Sequence, residues 1–286
     1  MAVYKRGYQR YEGPRTGPWT RLFVLPRFAW RRLMEQRLIV ILMVVSLFWP
    51  LACTVFVYLS NHAELLLGLD LDTLRFLRID EMFFVIFMSV QSVFTIILSA
   101  FAGPSVIAPD LANGALPLYF SRPMSRAEYV LARLLVLVGV LSPVTWIPGV
   151  LLFLMQSGMA GSTWFVENWR LGAAVFVGFL LWIVLVSLVA MASSAYVCWR
   201  VVAGGLVVGV FFVLAGAAAL AHEVLRVDWV WMLNPARNMY QVWRAMLGAE
   251  MLPGPGAGPC LVALAVLVAV LLLVLQRKLR PVEVVA

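Results

Sequence analysis

Six long apolar runs constrain this chain of 286 residues more than any other feature of its sequence. A bilayer core about 30 Å thick is crossed by roughly 20 apolar residues in a helix, and a helix satisfies its own backbone polar groups there. Each run is long enough for one crossing. The predicted spans are 38–60, 83–103, 129–156, 171–192, 201–221 and 259–275. The sequence therefore predicts an all-α membrane protein with six transmembrane helices.

The charge content supports a membrane protein. Charged residues make up only 13% of the chain, whereas a soluble domain carries roughly a quarter, so most of the surface is expected to face lipid. A net charge of +8 would indicate nucleic acid in a soluble protein. Here the basic residues lie beside apolar runs, where they match anionic headgroups. Membrane lipids are therefore predicted as partners, and nucleic acid is not.

The distribution of Lys and Arg predicts the orientation. Cytoplasmic segments of membrane proteins are enriched in basic residues. If both termini are cytoplasmic, 16 of the 22 basic residues lie inside, and the outer six are Arg75, Arg78, Arg170, Arg226, Arg237 and Arg244. The pair Arg31-Arg32 before the first run is similar to a twin-arginine signal, but the polar leader of residues 1–37 is too long for one. The first run is therefore expected to be a retained span in the cell inner membrane.

Residues 19–37 combine aromatic and aliphatic residues with Arg27, Arg31 and Arg32 at helical spacing. This pattern is typical of an amphipathic helix lying in the headgroup plane. The alternative is an ordinary row of arginine anchors next to the first span. Pro26 is expected to break this helix or to mark its start.

The chain divides into a basic cytoplasmic tail (1–18), the interfacial helix (19–37), a transmembrane domain (38–276) and a second cytoplasmic tail (277–286). No soluble stretch is long enough for a nucleotide-binding fold. The phosphate-binding pattern GxxxxGK[ST] does not occur in the sequence. No cofactor is therefore predicted in this chain, and an ATP-driven mechanism would need a partner.

The connection between the second and third spans carries the most information. It combines an apolar patch with charged residues, and Ser125 with Glu128 forms a capping box that opens the third span. A small apolar surface with a charged rim is typical of a protein contact. The alternative is a loop folded onto the floor of the bundle. The residues that define the segment are Asp110, Gly114, Leu116, Arg122, Arg126 and Glu128.

This segment resembles the cytoplasmic loop of type-2 ABC transporter permeases, the export class. In that pattern an acid precedes Gly-Thr/Ala-Leu, a Leu-rich patch and a Ser-Arg that leads into the third span. Asp110 stands where Glu is more usual, and Ala115 where Thr is common. The order of the interfacial helix, the six spans and a long last outer loop with Asn234-Pro235 is similar too.

The resemblance implies that this loop and the N-terminal helix dock on a separate cytoplasmic ATPase subunit, which holds ATP and Mg. It implies that Asp110, Arg122 and Arg126 make the contact. The implied assembly contains two permease chains, identical or homologous, and two ATPase chains.

Polar residues inside the spans are few and uncharged at mid-depth, which argues against transport coupled to protons or sodium. Gln91, Thr95 and Ser99 form one stripe on the second span, and they either line a path or join helices. Arg133 and Arg200 lie near predicted cytoplasmic ends, where long side chains can extend to the headgroups.

No cluster of His, Asp and Glu indicates a catalytic or metal site, since the two histidines are 160 residues apart in sequence. The chain is therefore predicted to be a transporter subunit and not an enzyme. The leading hypothesis is the membrane-spanning subunit of an ATP-driven exporter. The alternative is an ATP-independent membrane enzyme or a membrane-anchored assembly protein.

Overall fold

The structure, a computed structural model, describes residues 18–62, 79–115, 125–197 and 199–278. These residues are 88% helical and contain no strand. They form ten α-helices: α1 Pro18–Met34, α2 Arg37–Asn61, α3 Glu81–Ala102, α4 Ala108–Ala112, α5 Arg126–Leu141, α6 Trp146–Ala160, α7 Ser162–Tyr196, α8 Arg200–Leu225, α9 Pro235–Leu247 and α10 Ala257–Lys278. Three 3-10 turns, Gly103–Ser105, Ser142–Val144 and Asp228–Leu233, connect some of them.

Six helical segments are long and apolar enough to cross a membrane, as predicted. They are Arg37–Asn61, Glu81–Ala112, Arg126–Ala160, Ser162–Tyr196, Arg200–Leu225 and Ala257–Lys278. The chain is thus a helical protein with the features of a multi-pass membrane protein. The fourth segment is much longer than the predicted 171–192, because the helix continues beyond its apolar run into polar residues.

The crossing helices end at two opposite ends of the bundle, the α1 end and the α9 end. The α1 end contains α1, α4, the start of α5, the end of α7 and the end of α10. The α9 end contains α9, the start of α7 and the end of α8.

Prolines interrupt the helices unequally. The third crossing segment breaks at the 3-10 turn Ser142–Val144, which contains Pro143. Proline removes a backbone donor, so an interruption is expected here. Pro26, by contrast, is a buried residue inside α1. The expectation that it ends or begins the helix is wrong, because the helix remains packed on the bundle through that residue.

The core is organised around α7. In its most apolar window 72% of the residues are buried, compared with 17% in α10 and 22% in α2. Trp182 and Phe179 of α7 are almost fully buried. Helices α3, α5, α6, α8 and α10 pack against α7, whereas α2 packs on α3 and α6. The outer faces of the crossing helices are apolar and exposed, as expected of surfaces that face lipid.

Helix α9 inserts into this core instead of lying on the surface. Asn234 caps its start, because its Oδ1 accepts hydrogen bonds from the N–H groups of Ala236 and Arg237, both at 3.1 Å. The buried indole of Trp243 donates from Nε1 to the carbonyl oxygen of Gly178 at 3.0 Å. Gly178 is 16 residues from the start of α7, so α9 reaches well into the bundle.

The contact between α9 and α7 depends on the absence of a side chain at position 178. A Cβ there would lie 2.8 Å from both Met88 Cε and Trp243 Cδ1. We expect Gly178→Leu to lower stability by about 1–3 kcal/mol through overpacking, measured as the thermal unfolding midpoint in detergent. Gly205→Leu on α8 is the matched control, since nothing lies within 4 Å of that position. Equal midpoints would contradict this packing.

Candidate functional site: the platform at the α1 end

The predicted loop and N-terminal helix meet at the α1 end. Together, α1, residues 103–115 and residues 125–136 form a surface that we name the platform. Its short helix α4 has five residues, too few to be stable in isolation. Contacts with α5 and α7 must therefore hold it in place.

A buried ion pair fastens α4 to α5. The Oδ2 atom of Asp110 accepts a hydrogen bond from Tyr129 Oη at 2.7 Å and pairs with Arg133 Nη2. Tyr129 is fully buried, and the side chains of Arg133 and Asp110 are only 8% and 15% exposed. The Arg133 guanidinium also lies 5.3 Å from the centre of the Tyr129 ring. A charge pair this enclosed is costly to break, because removal of one partner leaves the other buried and unpaired.

A serine of α7 fastens the other side of α4. The N–H of Ala108 donates to Ser194 Oγ at 2.9 Å, and Ser194 Oγ lies 3.5 Å from the carbonyl oxygen of Pro104, to which it donates. Val106, Ile107 and Ala108 are buried. The segment after α3 is thus held at two places. Pro104 and Ala108 bind Ser194 of α7, and Asp110 binds α5.

Helix α1 is also joined to α5. Trp30 Nε1 donates to the carbonyl oxygen of Val136 at 2.8 Å. Gly139 lies directly under the indole, and a Cβ at that position would overlap the ring. Leu33 is buried on the same side of α1. Both α1 and α4 are therefore attached to the same helix.

The three predicted arginines of α1 lie on its exposed side. Arg27, Arg31 and Arg32 are all exposed, and Arg31 forms a solvent-exposed pair with Glu35 at 3.8 Å. Helix α1 thus has one face packed on the bundle and one basic face. A pair this exposed contributes little to stability, so the packed face holds the helix.

A small cavity of about 180 Å³ separates α1 from α4. Arg32, Asp110, Arg133 and Arg200 are among its lining residues. The two platform helices thus face each other across a space whose charged lining residues are three arginines and one aspartate, while each helix is fixed to α5. A displacement of either helix would act on α5 directly.

The predicted loop residues take different positions. The capping box is confirmed, because Ser125 N donates to Glu128 Oε2 at 2.7 Å and Glu128 N donates to Ser125 Oγ at 3.2 Å. Arg126 is exposed in the same turn. Gly114 follows the end of α4 and has φ +60°. A Cβ at this position would have no neighbour within 4 Å. Leu116 and Arg122 lie outside the described residues.

The role of Arg133 was not predicted. The expectation that its side chain extends to the headgroups is wrong, because the guanidinium turns inward to the Asp110 carboxylate. Tyr129, the second partner of Asp110, was not singled out either. Their spacing of four residues places both on one face of α5, which is the only sequence signal for the pair.

The polar stripe on α3 lies inside the bundle. Gln91, Thr95 and Ser99 are fully buried. Thr95 and Ser99 donate to carbonyl oxygens of their own helix, those of Gln91 and Ile96, both at 2.8 Å. These two hydrogen bonds lie within α3, so neither Thr95 nor Ser99 joins two helices through them.

Gln91 joins α3 to two other crossing segments by hydrogen bonds. Its Nε2 donates to the carbonyl oxygen of Ser46 at 3.1 Å and to that of Val144. In a regular helix these oxygens would accept from the residues four positions later, which are Pro50 and Pro148 and have no N–H. One amide therefore satisfies two buried carbonyls that prolines leave open, and it joins α3 to two other crossing segments.

Within the described residues, no group of three or more His, Cys, Asp and Glu side chains could hold a metal ion. In comparisons with known proteins, no family model matches the chain and no curated protein matches it. A functional assignment therefore depends on the geometry of the platform itself.

The first prediction from this site concerns the ion pair. We expect Arg133→Ala to lower the free energy of unfolding by about 3–5 kcal/mol, because the Asp110 carboxylate is left buried without its counter-charge. Arg126→Ala, at the exposed start of the same helix, should change it by less than about 0.5 kcal/mol. Thermal unfolding in detergent checks both. An equal effect of the two variants would show that the pair carries no stability.

The second prediction concerns Gln91. Gln91→Leu leaves two buried carbonyl oxygens without donors, and each unsatisfied group costs about 1–3 kcal/mol. We expect a loss of stability well above that of Thr95→Val, which removes only one hydrogen bond within α3. Chemical unfolding of the two variants in detergent gives the comparison. A smaller loss for Gln91→Leu would contradict the proline-compensating role.

Proposed function

We propose that this chain is the membrane-spanning subunit of an ATP-driven exporter, and that a separate ATPase subunit acts on the platform. The observation that carries the proposal is the fixed attachment of α4 to α5 through Asp110, Arg133 and Tyr129. An ordinary connection between two spans has no need of a buried charge pair beneath it. A surface that receives force from a partner does need rigid attachment to the helices that it moves.

In this proposal the α1 end faces the cytoplasm. Basic residues favour that placement, since the described residues at the α1 end include Arg27, Arg31, Arg32, Arg37, Arg126, Arg133, Arg200, Arg277 and Lys278, against four arginines in the α9 end. Both termini are then cytoplasmic. The exposed basic face of α1 lies at the level of anionic headgroups, and its packed face lies on α5.

The platform residues divide into two roles. Arg126 is exposed beside the connection 116–124, and we assign it to the contact with the ATPase together with Leu116 and Arg122 of that connection. Glu128 holds the first turn of α5 through its capping box. Asp110 is a positioning residue, because its carboxylate already has two partners inside the chain.

The route of force follows from these attachments. A push on the connection after α4 reaches α5 through Asp110 and reaches α7 through Ser194. Helix α7 is the most buried crossing helix, so its movement would affect every helix packed around it. ATP and Mg belong to the partner, and two copies of this chain or of a homologue with two ATPase chains form the proposed assembly.

The test is copurification of the tagged chain from its native membranes, followed by an ATPase measurement. We expect an ATPase chain in the complex. Arg122→Ala with Arg126→Ala should weaken that association by roughly tenfold, as expected for two charges at the edge of an interface. Arg170→Ala with Arg226→Ala removes the same charge at the α9 end and is the control.

Asp110→Asn separates positioning from docking. We expect the ATPase to remain bound but its activity to lose dependence on this chain, because α4 is no longer held to α5 by a full charge pair. A complex that contains no ATPase, with cellular activity unchanged in all these variants, would contradict the proposal. That result would favour an ATP-independent membrane enzyme or an assembly protein.

A further inference from the structure

A deep groove lies between α5, α7 and α10 at the α1 end. Its volume is about 880 Å³. Its walls are almost entirely aliphatic, and they include Val130, Leu134, Val184, Leu188, Val268 and Leu272. The groove is open along the outside of the bundle, on a side of the protein that faces the membrane core if the three helices cross it.

One end of the groove is basic. Arg126 begins α5 and Arg277 is the next-to-last residue of α10, and both line the groove together with Gln276. Its described lining contains no carboxylate. Lys278 follows directly, with its Nζ 5.3 Å from the centre of the Tyr196 ring. The groove thus combines an apolar body with a cationic mouth.

The dimensions of the groove match a lipid chain. Leu134 is eight residues from Arg126, and Val268 is nine residues from Arg277. At 1.5 Å per residue the apolar wall extends about 12–14 Å from the mouth. Half of a bilayer core is about 15 Å thick, so the groove spans most of one leaflet from headgroup level inward.

We propose that this groove binds an anionic phospholipid of the leaflet at the α1 end. The phosphate lies between Arg126 and Arg277, and an acyl chain lies along the aliphatic wall. A zwitterionic lipid fits less well, because its ammonium group would meet two arginines and no carboxylate among the described lining residues. The inference requires only that the helices cross a membrane, so it goes beyond the proposed function. Arg126 also belongs to the proposed ATPase contact, and lipid binding is therefore measured on the chain without an ATPase.

The experiment uses the full chain purified in a mild detergent. Phosphatidylglycerol, phosphatidylcholine and free glycerol phosphate are titrated separately, and native mass spectrometry counts the molecules retained. We expect one phosphatidylglycerol to be retained in preference to phosphatidylcholine. Glycerol phosphate should bind far more weakly, because it uses the mouth without the apolar wall.

Two variants test the two parts of the groove. Each basic residue near a membrane surface contributes about fivefold to the affinity for an anionic lipid, so Arg126→Gln with Arg277→Gln should weaken phosphatidylglycerol binding roughly 20-fold. It should weaken phosphatidylcholine binding much less, because the ammonium group of that lipid already offsets part of the attraction to the arginines. Arg170→Gln with Arg226→Gln, two exposed arginines in the α9 end, should have no effect. Leu131→Trp fills the groove from a position already 43% exposed and should reduce binding of phosphatidylglycerol at unchanged thermal stability.

Three results would overturn the inference. The first is equal affinity for the two lipids with no effect of the arginine variant. The second is glycerol phosphate binding as tight as that of the lipid, which would indicate a free-anion site. The third is lipid binding that occurs only after removal of residues 279–286, which would assign the groove to the chain's own C-terminal segment.

Discussion

A carboxylate away from water must find its counter-charge within the protein, and the arrangement of the α1 end follows from how Asp110 does so. Arg133 and Tyr129 approach the same oxygen from one face of α5. Helix α4, which has five residues, has a defined position because this pair and Ser194 hold it from two sides. Helix α1 binds to α5 as well, through the hydrogen bond of Trp30. Without the pair, the platform would have no common support.

The same rule applies deeper in the bundle, where backbone groups replace charges. Prolines in two different segments leave one carbonyl oxygen each without a backbone N–H donor, and the Gln91 side chain donates to both oxygens. The indole of Trp243 donates to a carbonyl of α7. A buried polar group that keeps its hydrogen bond adds little penalty to the free energy of folding. One that loses its partner adds a large penalty, because no water is present to replace that partner. These hydrogen bonds therefore define which helices are neighbours more sharply than aliphatic packing does.

These interactions also mark how much of the molecule could be predicted from its sequence. The six crossing segments and the capping box at Ser125 depend on residues close together in the chain, and both were predicted. The partner of Asp110 is 23 residues away, and nothing local indicates which Arg faces it. For Gln91 a signal existed. Two prolines within apolar spans leave carbonyls open, and an uncharged amide in a third span is the natural donor.

The insertion of α9 has a consequence for how the protein is assembled. This helix contains two arginines, Arg237 and Arg244, and two amides, Asn238 and Gln241. It therefore enters lipid less readily than the crossing helices do. Its place is created by α7, α3 and α10, the last of which follows it in the chain. Part of the surface that holds α9 therefore does not exist until the last span has been synthesised. Damage to the last span would thus remove contacts of α9 as well as one crossing helix.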